Sequence, residues 1–570
     1  MQYEVSFGRL TRPSKTVAGT ARFRLAVLGD FSGRANAGKL ETGEALTRRK
    51  PIAVDVDNLD DVLARMSLKL SLALGEAMVD VPIGSLDDFH PDQLVENVEL
   101  FETLLQLRRD LASKAGFARA SKEVLSWSGE ESLPPAPAQA RGAAIATDLR
   151  LSDFARLTGR AGARAGDASI DDLVRRLVGP FVQSARDARQ EQLTARVDAA
   201  LSAAMRRVLH HPDFQAAEVI WRSVELLVRR IETGARLQIV LYDVSAEELA
   251  ADLAAVEALE ESGLYGMLVE QPTLDADQGA LSAVIGLYGF ELSPPHADLL
   301  GRVAQVAAAS GAPFVTGIDP DALQTPMHQQ NPLIRQAWTA LWELPASAYL
   351  GLATVRFLLR MPYGKKSDPI DAFAFEEFTR EAGLSGMLWA NPALAAGLLL
   401  AQSWEKAGAK MKPGTVSVIG DMPYYVYTAP DGDQVALPCT ERLYSERQAA
   451  QAISYHVMPV VSLRGRPEIR LAGVASAAGQ PIAGFWAPVG MTPTPIAAPP
   501  APVPVAAVPA EPEPAPAAEA IAEVAAAAPE VAVAPELDDL DALLASLSAP
   551  PPAAAEGETE VDLDALLASL

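Results

Sequence analysis

The chain has 570 residues, of which 49% are hydrophobic, and its formal net charge is −25. This length predicts about three or four domains, and the single cysteine, Cys439, excludes an internal disulfide. The acidic balance argues against nucleic-acid binding, which needs a basic surface. The N-terminus has no signal-peptide pattern, and no apolar run approaches the roughly 20 residues of a membrane span. We therefore expect a cytoplasmic protein that is not inserted into a membrane.

The first predicted domain covers residues 1–125. It contains a strand over Arg22–Phe31 and amphipathic helices over Leu59–Met66 and Pro91–Leu111. Residues 126–168 combine Pro, Gly, Ala and Arg without a sustained period, which predicts a flexible linker.

In the second predicted domain, residues 169–490, strands alternate with helices. Helices resume near Ser169 and continue toward Leu209. The predicted strands are Leu237–Val244, Val284–Leu292, Pro313–Gly317, Tyr349–Leu359, Val416–Gly420 and Val457–Leu463. The predicted helices between them include Ala246–Leu259, Pro295–Ala309 and Pro392–Ala407. This alternation predicts an α/β fold with some α+β mixing, in which helices flank the sheets.

A helix start is predicted within residues 209–222. Pro212 suits the first helical turn, and Asp213 is predicted to cap the helix. Apolar residues then recur at helical spacing from Phe214 through Trp221, which indicates one buried face. His210 and His211 are interpreted as polar residues between two helices, because no further metal ligands occur at matched spacing.

Few segments of the sequence suggest a catalytic or ligand-binding site. Residues 33–40 nearly spell a phosphate-binding P-loop, but Leu40 stands where Ser or Thr would hold magnesium, so a P-loop-like NTPase is a remote alternative. The acidic residues Asp87–Asp88, Asp371 and Glu376–Glu377 are interpreted as solvated helix ends rather than acid–base groups. No catalytic, cofactor-binding or metal-binding residue is predicted.

Arg356 and Arg360 flank an apolar triplet, Phe357–Leu359. On a strand the two arginines share one face. We expect a structural ion pair here, with an acid of Glu376–Glu377 as its partner.

The last 80 residues, 491–570, contain 14 Asp or Glu and no Lys or Arg. Residues 491–535 are rich in Pro and Ala, which predicts a disordered linker. The nonapeptide Asp-Leu-Asp-Ala-Leu-Leu-Ala-Ser-Leu then occurs twice within residues 536–570. The leucine spacing is typical of a short helix that binds a groove, and the predicted partner-binding residues are Leu540, Leu543, Leu544, Leu547, Leu563, Leu566, Leu567 and Leu570. Docking on another chain, docking on the chain's own body, and no role all stay open.

Two blocks of the chain resemble the contractile sheath proteins of the bacterial type VI secretion system. Residues 23–33, 57–64 and 85–94 resemble the small sheath subunit, TssB, in the family's order. Residues 209–222, with His211, Pro212, Asp213, Phe214 and Trp221, resemble the large subunit, TssC. Further segments that resemble TssC are residues 349–352, 356–364 and 373–377, and the second of them contains Arg356 and Arg360. The resemblance implies a TssB–TssC fusion that acts through protein contacts and is not an enzyme.

The resemblance also implies partners, namely other sheath proteins, baseplate proteins or the recycling ATPase, together with self-assembly. A segment with Ile170, Leu173 and Leu177 lies where the family's ATPase-docking helix is found, and the tail repeats share its spacing. The TssC resemblance fades after about Leu463, and the globular sequence stops near Pro488. These features favour an adaptor, cap or initiator over a repeating subunit. The alternative is a non-polymerising scaffold or regulatory module derived from sheath proteins.

Overall fold

The computed structural model describes residues 5–10, 22–75, 77–127, 188–274 and 279–487. These residues form two compact units. The main unit contains the described residues up to 72, residues 80–98, and those from 204 to 487. The helical unit contains the described residues 73–75, 77–79, 99–127 and 188–203. The predicted mixed α/β class is confirmed.

The strands are named here in chain order. They are β1 Phe23–Gly29, β2 Ile52–Val54, β3 Leu68–Leu74, β4 Ala77–Ile83, β5 Leu237–Asp243, β6 Ala283–Phe290, β7 Phe314–Ile318, β8 Leu350–Thr354, β9 Phe357–Leu358, β10 Trp389–Ala390, β11 Val418–Ile419, β12 Val426–Thr428, β13 Gln434–Ala436, β14 Met458–Ser462 and β15 Ile469–Leu471.

Nine of these strands form one sheet in the order β11-β15-β14-β8-β7-β6-β1-β5-β2. The six strands from β14 to β5 are parallel to one another, whereas β2 is antiparallel to β5, β15 to β14, and β11 to β15. Every residue of β1 is buried, as expected for a parallel strand that is covered on both faces. The pairs β3–β4, β9–β10 and β12–β13 form separate two-stranded sheets.

The helices are likewise named in chain order. They are α1 Glu44–Thr47, α2 Leu59–Met66, α3 Pro91–Asn97, α4 Glu99–Ala112, α5 Phe117–Trp127, α6 Ala188–Leu209, α7 Pro212–Arg230, α8 Ala246–Ala254, α9 Gly263–Tyr265, α10 Gln271–Leu274, α11 Pro294–Ser310, α12 Pro332–Glu343, α13 Ala393–Ala407 and α14 Glu446–Ser454. Gly266–Glu270 forms a π-helical turn. Short 3-10 turns cover Leu86–Phe89, Leu259–Glu261, Ala322–Gln324, Met327–Gln329, Pro345–Tyr349, Gly383–Gly386 and Gly408–Lys410.

Helices pack closely on the sheet at α13. A Cβ atom added at Gly397 would lie 2.7 Å from Cγ1 and 2.9 Å from Cδ1 of Ile285 on β6. Glycine therefore lets the helix backbone approach the strand at this point.

In the helical unit, Arg108 on α4 forms a 2.6 Å ion pair with Asp198 on α6. Gln190 also donates a 2.8 Å hydrogen bond to the carbonyl oxygen of Leu111.

Several predicted elements have different bounds in the structure. The helix predicted over Pro91–Leu111 is two helices, because Val98 is extended (φ −114°, ψ 116°). The strand predicted over Tyr349–Leu359 divides into β8 and β9, because Val355 between them has φ 67°, in the left-handed region. The strand predicted over Val416–Gly420 is only two residues long.

Other predictions concern residues outside those that the structure describes. They include the linker 126–168 from residue 128 onward, the helix resuming near Ser169, the segment with Ile170, Leu173 and Leu177, and both leucine repeats. In the part of the chain that is described, no helix is both long and apolar enough to cross a membrane.

Candidate functional site

The first block of the chain shares its sheet with the block that follows residue 204. β1 lies between β5 and β6, with Phe23 opposite Leu237 and Leu25 opposite Ala283. We call the contacts between residues 22–98 and residues 204–487 of the main unit the seam. Because β1 is an interior strand, both of its edges are hydrogen-bonded to the second block.

Aromatic side chains pack across the seam. Trp221 on α7 is fully buried and its Nε1 donates a 3.1 Å hydrogen bond to the carbonyl oxygen of Phe31. The rings of these two residues meet edge to face at 5.5 Å between centroids. Phe89 and Phe214 make a second edge-to-face contact at 5.6 Å. The helix α7 therefore turns its apolar face toward the first block.

A buried carboxylate also joins the two blocks. Glu248, at the start of α8, has a fully buried side chain and accepts from Arg34 at 2.9 Å and from Arg49 at 2.6 Å. Glu248 also completes a capping box with Ser245. Burial raises the pKa of Glu248, but the hydrogen bonds from Arg49, the Ser245 amide and Arg34 outweigh it and lower that pKa. The ion pair is thus charged at neutral pH.

Carboxylates accept hydrogen bonds from backbone amides just before and at the start of the P-loop-like segment. Asp243 accepts from the amides of Phe31 at 2.8 Å and Ser32 at 3.1 Å. Asp30 accepts from the amides of Arg34 at 2.6 Å and Ala35 at 2.9 Å. In a P-loop such amides bind phosphate oxygens. Here they are already hydrogen-bonded to acidic side chains, so the loop is a structural turn within the seam.

A second buried group, which we call the ion cluster, consists of Glu218, Arg222, Arg360, Tyr363 and Glu377. Arg360 Nε lies 2.7 Å from Glu218 Oε1, and Arg360 Nη1 lies 2.7 Å from Glu377 Oε2. Arg222 Nε pairs with Glu218 at 2.7 Å and its Nη2 donates to the Tyr363 hydroxyl at 3.0 Å. The Arg360 guanidinium also stacks over the Tyr363 ring, 4.0 Å from its centroid.

Opposing effects set the charge states in the ion cluster. Burial raises the pKa of Glu377, but the positive charge of Arg360 and the surrounding donors outweigh burial and lower that pKa to about 2. Burial raises the pKa of Tyr363 to about 12, so its hydroxyl keeps its proton at neutral pH. Burial lowers the pKa of Arg360, but Glu218 and Glu377 raise it well above its usual range. The cluster is therefore a fixed set of compensated charges.

The first block also contacts the ion cluster region. The ring of His90 meets Tyr363 edge to face at 5.0 Å. Asp92 accepts from the backbone amide of Asp371 at 3.0 Å and from that of Ala372 at 3.1 Å. Both His90 and Asp92 lie at the start of α3. The segment that carries Tyr363, Asp371 and Ala372 thus contacts the first block and forms part of the seam.

Several sequence-based expectations are wrong in detail. The cap of α7 is His211, whose Nδ1 accepts from the amide of Asp213 at 3.2 Å, and not Asp213 itself. Asp213 instead accepts from Asn36 Nδ2 across the seam at 2.8 Å. Glu377 is not a solvated helix end, since it is 1% exposed.

Of the other predicted residues, some lie in the seam or in the ion cluster and one lies outside both. Pro212 is the first residue of α7, and Phe214 is buried in the seam. Arg360 forms an ion pair with Glu377, one of the two acids expected as a partner. Arg356 does not join the ion cluster, because it pairs with Glu441 and its side chain is 56% exposed.

Sequence reasoning missed Glu218, the centre of the ion cluster. A signal was present, because Glu218 is four residues after Phe214 and three before Trp221 and so shares their buried helix face. A carboxylate on an apolar face requires a buried cation. Glu248 and Arg49 carried no such local signal.

The main unit is thus built from two blocks, which are held together by a common sheet, an apolar seam and buried ion pairs. Within the described residues, no group of three or more His, Cys, Asp or Glu side chains could hold a metal ion. The site that the geometry defines is the seam between the two blocks.

Comparisons with known proteins give a family match for each of the two blocks. Residues 191–478 match the family described as VipB (EvpB), tail sheath N-terminal domain, and residues 19–124 match the family described as type VI secretion system VipA. The chain is similar to the type VI secretion system sheath protein TssC1 of Pseudomonas aeruginosa, with 32% identity over 288 residues. That alignment covers 48% of this chain and 58% of TssC1. The chain belongs to the tail sheath family and carries a VipA-type block before the sheath domain.

Proposed function

We propose that the chain is a structural component of a type VI secretion contractile sheath in which the small-subunit and large-subunit parts are permanently joined. The observation that carries this proposal is the position of β1 between β5 and β6. A covalent connection ensures a one-to-one ratio and raises the effective concentration of each block for the other. Function then arises from surfaces of the joined body and not from chemistry within it.

Among sheath roles we propose an adaptor, cap or initiator. The match to the sheath N-terminal domain extends to residue 478, and residues 491–570 are acidic and rich in Pro and Ala. Polymerisation by strand addition needs open backbone edges, and this sequence is not suited to supply them. The same observation supports the second candidate, a non-polymerising scaffold or regulatory module.

We further propose that the two leucine repeats recruit another component, such as a sheath, baseplate or recycling-ATPase protein. Two copies on one tether gain avidity over a single copy. A pull-down with residues 536–570 tests this proposal. The control peptide replaces Leu543, Leu544, Leu566 and Leu567 by Ser, and equal capture by both peptides contradicts it. The same assay asks whether residues 170–177, with Ile170, Leu173 and Leu177, compete for the partner.

Cleavage of the chain between the blocks tests the joined body. A protease site is placed within residues 130–185, the purified protein is cut, and the products are separated by gel filtration in native buffer. We expect both fragments to elute together in a one-to-one ratio, because β1 is hydrogen-bonded on both edges. Separate elution of folded fragments would show that the two blocks do not form one body.

Negative-stain microscopy of the full chain distinguishes the sheath roles. An adaptor or cap gives rings or joins the end of sheath tubes formed by separate subunits, whereas a repeating subunit gives tubes by itself. Monodisperse particles that never associate with sheath tubes support the scaffold candidate.

A further inference from the structure

Exposed cations lie at the starts of β1 and β5 and around the end of α13. Arg22 directly precedes β1, and the amide of Phe23 donates a 2.8 Å hydrogen bond to the carbonyl oxygen of Arg236, which precedes β5. The guanidinium of Arg236 lies against Gly408, 3.8 Å from where a Cβ atom would be. Three lysines surround this glycine in the sequence. We call the exposed side chains Arg22, Arg236, Lys406, Lys410 and Lys412 the basic surface.

The basic surface is not neutralised by the described part of the main unit. Its five side chains form no ion pair with any described residue. One neighbouring acid, Glu405, accepts a 2.7 Å hydrogen bond from the amide of Glu232. Lys406 and Lys410 have a local explanation, since cations stabilise a helix C-terminus such as that of α13. Arg22 and Arg236 precede strands, so this explanation does not apply to them.

The described chain ends beside this surface. Phe485 packs on Trp404 with 5.6 Å between ring centroids, and on Phe23 with 6.1 Å. Trp404 is two residues before Lys406, and Phe23 directly follows Arg22. The last described residue is Ala487. The last described residues therefore lie at the same end of the sheet as the basic surface, where α13 ends and β1 begins.

The polypeptide that continues has the complementary charge. No Lys or Arg follows Arg470, and the first acidic residues after it are Glu511, Glu513, Glu519, Glu523 and Glu530. The 24 residues from Ala487 to Glu511 span about 27 Å as a flexible coil and at most about 74 Å as polyproline II. Both lengths allow the glutamates to return to the surface from which the chain departs.

We propose that the glutamates of residues 511–530 bind the basic surface of the same chain. Each exposed charge contact is weak, but a short tether supplies an effective concentration of about 1 mM. Contacts with a dissociation constant near that value are occupied about half of the time. The contact is electrostatic and exposed, so it is sensitive to salt. This inference stands independently of the proposed sheath role.

Carbodiimide coupling of carboxylates to lysine amines in the full-length protein tests the proposal. Trypsin leaves residues 471–570 as one peptide, and its side-chain carboxylates all lie at or after Glu511. We expect coupling to Lys406, Lys410 and Lys412 to exceed coupling to the exposed Lys50, Lys365 and Lys366 by about fivefold at about 0.1 M salt. We expect the preference to disappear at about 1 M salt, where the Debye length falls from about 10 Å to about 3 Å.

A charge-reversal variant separates attraction from simple proximity. R22E/R236E replaces two positive charges of the basic surface by negative ones but leaves all three coupling amines, and we expect at least a threefold lower yield at the lysines. The control R48E/R447E changes the net charge equally at two exposed arginines outside the surface, and its yield is expected to stay at the wild-type level. Equal yields from the two variants, or equal coupling to all exposed lysines, would overturn the proposal.

Fragment mass spectra and isotope mixing identify the occupant. Links are expected at residues 511–530, within one molecule. Links confined to residues 536–570 would assign the surface to the leucine repeats, and links between labelled and unlabelled chains would assign it to a second copy. Either result contradicts binding of residues 511–530 to their own chain.

Discussion

Arg360 Nε lies 2.7 Å from Oε1 of Glu218, a residue 142 positions earlier in the chain. Both side chains are largely removed from solvent, at 11% and 0% exposure. A buried ion pair contributes little compared with a hydrophobic pair, but the loss of one partner leaves an uncompensated buried charge. This asymmetry makes the ion cluster a sharp test of the structure.

Replacement of Arg360 by Met is expected to destabilise the protein by about 3–5 kcal/mol, because Glu218 and Glu377 would lose their shared cation. Arg356→Met is the matched control four residues earlier. Its ion pair with Glu441 is exposed on the arginine side, so we expect a change of about 1 kcal/mol or less. Urea unfolding of both variants measures the difference. Similar effects of the two substitutions would contradict the burial of the cluster.

The low pKa of Glu377 gives a pH dependence of known sign. Its folded-state pKa, about 2, lies below the ordinary value of 4.5, so its contribution to stability is complete above about pH 4.5 and is lost as the pH falls toward 2. The shift corresponds to about 3 kcal/mol. Unfolding midpoints of the wild type and Glu377→Gln, measured from pH 6 to pH 3, should therefore converge as the pH falls. Parallel curves would exclude an ionised, paired Glu377.

Adjacent arginines test the seam. Arg49 pairs with the buried Glu248, whereas Arg48 pairs with Glu44 at the surface. In the protein cut between the blocks, Arg49→Met is expected to weaken association of the fragments at least tenfold, since Glu248 would keep only Arg34. Arg48→Met is expected to leave association unchanged within about twofold. Gel filtration across a dilution series gives both dissociation constants.

Gly397 tests the packing of α13 on the sheet. Glycine to alanine in an open helix stabilises by about 1 kcal/mol. Here the added Cβ would meet Ile285, so Gly397→Ala is expected to destabilise by about 1–3 kcal/mol. The double variant Gly397→Ala/Ile285→Ala should be more stable than the sum of the single changes by about 1 kcal/mol. Additive effects in urea unfolding would show that helix and strand do not meet at these residues.

The cap of α7 gives a smaller effect. His211→Ala is expected to cost about 1 kcal/mol, because the amide of Asp213 loses its acceptor. His211→Asn retains an acceptor and is expected to cost less. Thermal unfolding ranks the two variants, and a greater loss for Asn than for Ala would indicate a different role for this histidine.

Sequence reasoning worked where the signal was local. Pro212 begins a helix, β1 is a buried apolar strand, and the face of α7 with Phe214 and Trp221 is buried. It failed at Asp213, because His211 competed for the same cap. For Glu377 it gave two interpretations, a solvated helix end and an ion pair with an arginine, and the structure has the ion pair with Arg360. The first error concerns a choice between neighbouring side chains, whereas the second depends on a partner that is distant along the chain.

The sequence by itself determined the types of the elements, the two sheath-like blocks and the acidic composition of the tail. Helix and strand propensity, hydrophobic periodicity and short sequence motifs all depend on residues that are near one another in the chain. The tertiary structure alone decided that β1 enters the second block's sheet between β5 and β6, and that Glu218 and Glu248 meet their arginines. Strand order and buried ion pairs join residues separated by some 140 to 260 positions. Such pairings are selected by the packing of the whole body and leave no periodic trace in the chain.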